Sequence, residues 1–230
     1  MPPRVARRVL LVIGALAVVA NSCDDSGVDS VSGAARGTDP SGGDGAQSAE
    51  SAETVVMVGD SITFMSTDPL RAELSSTGLE VLAIDAQVGR RIGVGDGGQP
   101  HSGTNVIEFI ANSDPPDVWV IALGTNDIGQ YADAGEFATQ VQSLLDLIPS
   151  AAPLVWVDTW DATRPVETQL VNDTLHAMLD GRDDAVVVDW SSHGDDEGVM
   201  TGDGVHPTEA GILVFANVVA EGVGTLLASL

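Results

Sequence analysis

Val118-Trp119-Val120-Ile121-Ala122-Leu123 is six apolar residues in a row, closed by Gly124-Thr125-Asn126-Asp127. A short run of this kind, bounded by turn formers, reads as a strand buried on both faces, because a half-buried strand would alternate with polar residues. Both faces of a strand are covered when helices cross over it, so the run predicts a parallel sheet between two helical layers.

The flanking sequence keeps that rhythm. Before the run, Val55 to Val58 predicts a strand ending at Gly59-Asp60-Ser61, and Val81 to Ile84 a second, with a helix from Pro69 to Ser76 between them. Thr104 to Ala111 reads as helical. After the run, a helix over Glu136 to Ile148 carries Phe137, Val141, Leu144, Leu145 and Ile148 on one stripe. Leu154 to Val157 and Val186 to Val188 are the fourth and fifth strands, separated by a helix over Val166 to Leu179. A closing helix begins at Thr208, a residue suited to capping, and runs to about Leu227. Five strands alternating with five helices predict an α/β fold: a three-layer α/β/α, flavodoxin-like domain around a five-stranded parallel sheet, spanning 54–230. In such sheets the site lies beyond the carboxyl ends of the strands.

Composition limits what the domain does. The chain of 230 residues has 34 acidic residues against 9 basic ones, all arginine, for a net charge of −25. So negative a surface repels phosphates, which excludes nucleic acid as a partner and adsorption to anionic lipid through a basic patch. One cysteine, Cys23, excludes an internal disulfide framework and a cysteine-based zinc site. The 43% hydrophobic content is that of a folded protein, expected to be a monomer.

The first residues read as an export signal. Arg4, Arg7 and Arg8 precede the apolar run Val9 to Ala20, too short for a membrane span of ~20 residues. Ala20-Asn21-Ser22 then leads to Cys23. The arrangement resembles a bacterial lipoprotein signal, in which residues 1–22 are removed and Cys23 is lipidated. Cleavage of a plain Ala-x-Ser site at the same bond gives a secreted protein instead, and an uncleaved segment gives an anchored one. Each reading exports the chain, to the outer face of the membrane or beyond it. Residues 23–53, dominated by Asp, Ser, Gly and Ala, bury too little apolar surface to fold and are expected to act as a tether.

The carboxyl ends of the predicted strands hold four blocks: Gly59-Asp60-Ser61-Ile62-Thr63, Val88-Gly89-Arg90-Arg91, Gly124-Thr125-Asn126-Asp127 and Asp203-Gly204-Val205-His206-Pro207. With these in this order the chain resembles the SGNH (GDSL-type) hydrolase superfamily of esterases and lipases, over essentially all of 54–230. The resemblance implies a serine ester hydrolase that works through an acyl-enzyme and needs no cofactor or metal. The residues suit that chemistry. Acyl transfer needs a nucleophile, a base, an orienter for the base and donors for the oxyanion. Ser61 stands where a strand turns towards a helix, His206 is the natural base, and Asp203 is close enough in sequence to hold the other ring nitrogen. Carried over by position, the N–H groups of Ser61 and Gly89 and the amide of Asn126 form the oxyanion hole. The Gly-x-Ser-x-Gly elbow of α/β-hydrolases is absent, since residue 63 is Thr.

One departure points to a subgroup. Where the second block commonly has Asn, this chain has Gln87, and Asp85-Ala86-Gln87-Val88-Gly89-Arg90-Arg91 resembles SGNH domains fused to membrane acyltransferases that O-acetylate envelope glycans. Val188-Asp189-Trp190 adds to that likeness. The expected substrate is then an O-acyl or acetyl ester on envelope carbohydrate or lipid, with acyl transfer to a glycan and a silent envelope-binding module as alternatives. Arg90 and Trp160 are candidate substrate contacts, although Arg90 and Arg91 also suit pairing with nearby acids. Asp60 and Asp127 suit holding loops through side-chain hydrogen bonds. His101, His176 and His193 lack partners at metal-ligand spacing, and Asp195-Asp196-Glu197 reads as a solvated loop.

Overall fold

A computed structural model describes residues 52–93 and 101–230; the export signal, Cys23 and nearly all of the tether lie outside them. The element order is β1 (Thr54–Gly59), α1 (Ser61–Met65), α2 (Thr67–Ser76), β2 (Glu80–Ala86), α3 (Gly103–Ser113), β3 (Val118–Ala122), α4 (Ala134–Leu145), β4 (Leu154–Val157), α5 (Pro165–Leu179), β5 (Ala185–Val188) and α6 (Glu209–Ser229), with single 3-10 turns at Thr125–Asp127 and Ser191–His193. The five strands are all parallel, in the order β2-β1-β3-β4-β5.

Alternation along the strands makes two cores. Val55 and Met57 of β1, Val118 and Val120 of β3, and Val155 and Val157 of β4 face Leu70, Leu74, Phe215, Val219 and Val223, from α2 and α6. The intervening residues Val56, Val58, Trp119, Ile121, Leu154 and Trp156 face Ile107, Phe137, Val141, Leu144, Val171 and Leu175, from α3, α4 and α5. The continuous apolar run of β3 is therefore needed: every residue from Val118 to Ala122 is buried, and each side has its own partners. α6 is long and apolar enough to cross a membrane by composition, but its buried stripe closes the first core.

Two differences from the sequence reading concern helix ends. Ser61 begins a five-residue helix, capped by the Asp60 carboxylate accepting from the Ile62 N–H at 3.0 Å, where a loop was expected. The helix predicted to run to Ile148 stops at Leu145, and Leu147 and Ile148 continue only through short bonds back to Leu144 and Leu145. Thr208 does cap α6, its hydroxyl accepting from Gly211 N–H at 3.1 Å.

α6 lies so close to β5 that a Cβ on Gly222 would come within 2.2 Å of Val188 Cγ2, whereas one on Gly224 would meet nothing. The two glycines are thus expected to respond oppositely to alanine. Gly224→Ala should add about 0.5–1 kcal/mol through helix propensity, and Gly222→Ala should cost about 1–3 kcal/mol through overpacking. Urea unfolding of both variants checks this; stabilisation by both would mean that β5 yields freely.

Candidate active site

The site is assembled on the carboxyl ends of β1, β2 and β3 and on the loop between β5 and α6. Ser61 Oγ lies 3.0 Å from His206 Nε2, and His206 Nδ1 lies 2.8 Å from Asp203 Oδ2. Ser61 is buried, whereas the His206 and Asp203 side chains are about 36% and 52% exposed, so the relay opens to water on one side.

The loop that carries Asp203 and His206 is wound on Asp203 itself. Its Oδ1 accepts from Val205 N–H at 2.9 Å, from His206 N–H at 2.9 Å and from the Thr201 hydroxyl at 2.8 Å. The donors from His206, main chain and ring, hold the carboxyl well below the usual carboxylate range, with the Val205 N–H adding to them. Asp203 therefore stays ionised wherever the protein works. Gly204 turns the chain at φ +73°, a conformation open to glycine, and packs where a Cβ would meet Ala162.

Three loops meet through Asn126. Arg90 N–H donates to Gln87 O at 3.2 Å, closing a turn whose third residue is Gly89 at φ +75°, and the Gly89 N–H lies outside that hydrogen bond. The Ser61 N–H stands in the first turn of α1, where no intrahelical acceptor exists. Asn126 reaches both loops, its Nδ2 donating to Asp60 Oδ2 at 3.2 Å and to Arg90 O at 3.1 Å. The structure therefore brings Ser61, Asp203 and His206 into hydrogen-bond contact, and ties Asn126 to the loops that carry Ser61 and Gly89.

Asp60 joins nucleophile and amide: one oxygen caps α1 and the other holds Asn126. Burial pushes its carboxyl up to about 6, against the pull of the Ile62 N–H. Asp127 is also enclosed; it accepts from Ile92 N–H at 3.0 Å, from Tyr131 OH at 2.8 Å and from Arg91 Nε at 3.3 Å. Burial raises its carboxyl too. Both aspartates hold loops, as their sequence context suggested. That Asp60 grips Asn126 was not legible, because nothing in Gly-Asp-Ser says which of two oxygens meets which loop.

Arg90 pairs with an acid, as one of its two sequence readings had it, and the other reading, a substrate contact, is corrected. It is 3% exposed, and its guanidinium donates to His101 O at 2.8 Å, Gly59 O at 3.0 Å, Asp85 O at 2.6 Å and Asp85 Oδ1 at 2.5 Å. It fastens the Gly89 turn to the ends of β1 and β2 and presents no free face to a substrate. Trp160 is the other candidate contact. Its ring packs against Gly194, and it lines a cleft of about 350 Å³ with Asp158, Asn172, His176 and Asp189, to which neither Ser61 nor His206 contributes. A cleft of about 690 Å³ is lined by Asn112, Leu145, Pro149 and Arg182 at the opposite ends of the strands, so volume does not mark this site. Among the described residues no three His, Cys, Asp or Glu side chains group as metal ligands.

Comparison with known proteins agrees with this layout. The chain matches the model of the GDSL-like lipase/acylhydrolase family over residues 57–212. No curated protein matches it by sequence. Among solved structures it is similar to the inhibitor-bound aryl esterase of M. smegmatis, at 20% identity and a TM-score of 0.59, covering 76% of this chain and 100% of that one. It is also similar to Est24, a carbohydrate acetylesterase from Sinorhizobium meliloti, at 16% identity and 0.58, covering 76% and 99%. The C-terminal catalytic domain of Streptococcus pneumoniae peptidoglycan O-acetyltransferase A aligns at 18% identity and 0.55, covering 77% and 94%. These likenesses concern the fold. The family match runs from within β1 into the first turn of α6 and takes in every block at the strand ends, and on that ground the chain belongs to the GDSL-like lipase/acylhydrolase family.

Proposed function

We propose that the protein is an exported serine esterase that hydrolyses O-acyl esters through an acyl-enzyme, with envelope carbohydrate or lipid as its substrate. The contact that carries the proposal is Ser61 Oγ at 3.0 Å from His206 Nε2, with Asp203 on the far ring nitrogen. Ser61 Oγ attacks the ester carbonyl as His206 Nε2 takes its proton. The negative charge that forms on the carbonyl oxygen is met by the Ser61 and Gly89 N–H groups and by Asn126, whose Nδ2 exchanges its bond to Arg90 O for one to the oxyanion. His206 returns the proton to the departing alcohol oxygen, and the C–O bond to the alcohol breaks. A water molecule, deprotonated by the same histidine, then releases the acid and restores Ser61.

A second reading, transfer of the acyl group to a glycan hydroxyl, is supported by the Asp85–Arg91 wording and the fold likeness to the O-acetyltransferase domain. It differs only in which hydroxyl meets the acyl-enzyme. An acetyl group released faster with sugar acceptors than in water alone would favour it.

The decisive experiment is labelling with a p-nitrophenyl alkylphosphonate. One phosphonyl group is expected on Ser61 by peptide mass, with p-nitrophenolate released and no label on Ser61→Ala. Label elsewhere, or none, would sink the catalytic reading. Fractionating labelled cells tests export in the same experiment: the adduct is expected with the membrane, and in the soluble fraction for Cys23→Ala. Membrane association unchanged in Cys23→Ala would reject lipidation.

A further inference from the structure

Arg164 stands at a position where an arginine is unfavourable. It caps α5, just before Pro165, and its side chain makes no capping hydrogen bond. Ser, Thr, Asp and Asn suit that place because their oxygens accept from the exposed N–H groups. A guanidinium has no acceptor to offer, and its charge meets the positive end of the helix dipole. A local rule broken in this way points to a task elsewhere. The side chain reaches another loop, where Arg164 Nη1 donates to Ile128 O at 2.9 Å.

That loop is shaped to receive it. Gln130 N–H donates to Asp127 O at 3.1 Å, Ile128 has φ −56° and ψ 122°, and Gly129 has φ +68°, which together make a type II turn. The hydrogen bond of the turn leaves out the carbonyl of Ile128, which is the one that Arg164 takes. Gly129 also clears the approach, since a Cβ there would come within 2.9 Å of Arg164 Nη1. Ile128 in turn closes the 3-10 turn that carries Asn126, its N–H donating to Thr125 O at 3.4 Å.

The segment that holds Arg164 is tied at its other end to the base. Ala162 N–H donates to Gly204 O at 3.0 Å, and Gly204 lies between Asp203 and His206. From Ala162 to Arg164 the chain is braced. One oxygen of buried Asp161 accepts from the Thr163 N–H at 2.8 Å and from the Thr163 hydroxyl at 2.6 Å, and Arg164 N–H donates to Asp161 O at 3.1 Å. Residues 161–164 thus grip one carbonyl of the His206 loop and one of the Asn126 loop.

The grip matters most as the oxyanion forms. Before that, Asn126 is also held by its bond to Arg90 O. When Nδ2 turns to the oxyanion that bond is given up, and the loop is left to Asp60 and Arg164. We propose that Arg164 is a positioning residue, acting through Ile128 to hold Asn126 in line with the Ser61–His206 relay during the reaction. This rests on the hydrolase reading above and adds to it a residue outside the four blocks.

The test is made on the full chain with p-nitrophenyl acetate. Arg164→Met keeps much of the side-chain stem and removes the donor. It should lower kcat about 10-fold with KM little changed, because the bond is needed most in the transition state. Arg182→Met, which breaks an ion pair with Asp184, should leave kcat as it is. Asn126→Ala supplies the deciding background: there Arg164→Met should cost less than about 2-fold, since no amide is left to position. An unchanged kcat in Arg164→Met, or a 10-fold loss that persists without Asn126, would overturn the proposal. The side-chain amide NMR signals of Asn126 give a readout independent of turnover. They should shift in Arg164→Met and stay in place in Arg182→Met, and no shift in Arg164→Met overturns the positioning role. A shift in a protein whose wild type hydrolyses no ester upholds the link from Arg164 to Asn126 and overturns the hydrolase reading instead.

Discussion

Replacing Ser61 or His206 by alanine is expected to lower kcat on p-nitrophenyl acetate by about 10⁴–10⁶-fold, and replacing both is expected to cost no more than either alone. The two side chains share one proton across 3.0 Å, so losing either leaves the other without a task. Losses that multiply in the double variant would show that the two act separately, and the relay would be wrong. Asp203→Asn should cost less, about 10²–10³-fold. Its Oδ1 is committed to the Val205 and His206 N–H groups, so the new amide nitrogen must replace Oδ2 and face His206 Nδ1. Two donors cannot share that gap. The ring then carries its proton on Nε2, where it cannot accept the serine proton. A buried aspartate in this role is worth roughly 10⁴-fold; this one is half exposed, so water screens part of its charge.

How much of this was legible beforehand depended on whether the deciding interactions are local. β3 could be read because burial on both faces leaves a continuous apolar run, and α6 could be placed because its cap is the side chain at its own start. α1 was missed because five residues show no helical periodicity, and its cap, Asp60, had been given only a general loop-holding part. The pairing of Asp203 with His206 is local too, three residues apart in one loop. For Arg90 the sequence offered pairing with an acid, which the structure shows, beside substrate contact, which it does not, and the choice between them is not local. Three of its acceptors, on Gly59, Asp85 and His101, are set by strand order and by a loop closing over it, and a sequence does not say whether a cation ends inside or outside such a loop.

Asn126→Ala is expected to lower kcat by about 10²–10³-fold with KM little changed, the usual cost of losing one oxyanion donor. Asp60 makes a sharper test, because its second oxygen reaches the oxyanion hole through Asn126. Its Oδ1 is committed to the Ile62 N–H, so in Asp60→Asn the amide nitrogen takes the place of Oδ2 and meets Asn126 Nδ2, donor against donor. A displaced Asn126 should lower kcat about 10-fold at pH 8. The charges facing Asp60 are His206, which favours its ionised form, and Asp127, which opposes it, while burial is the largest influence and sets its carboxyl at about 6. The ionised form, the one that accepts from Asn126, therefore prevails above about pH 6 and is lost below it. Wild-type and Asp60→Asn kcat values should differ most above pH 7 and converge as the pH falls below 6. A ratio constant from pH 5 to pH 8 would reduce Asp60 to a helix cap. A ratio that closes with acid would make it the group that aims the oxyanion hole.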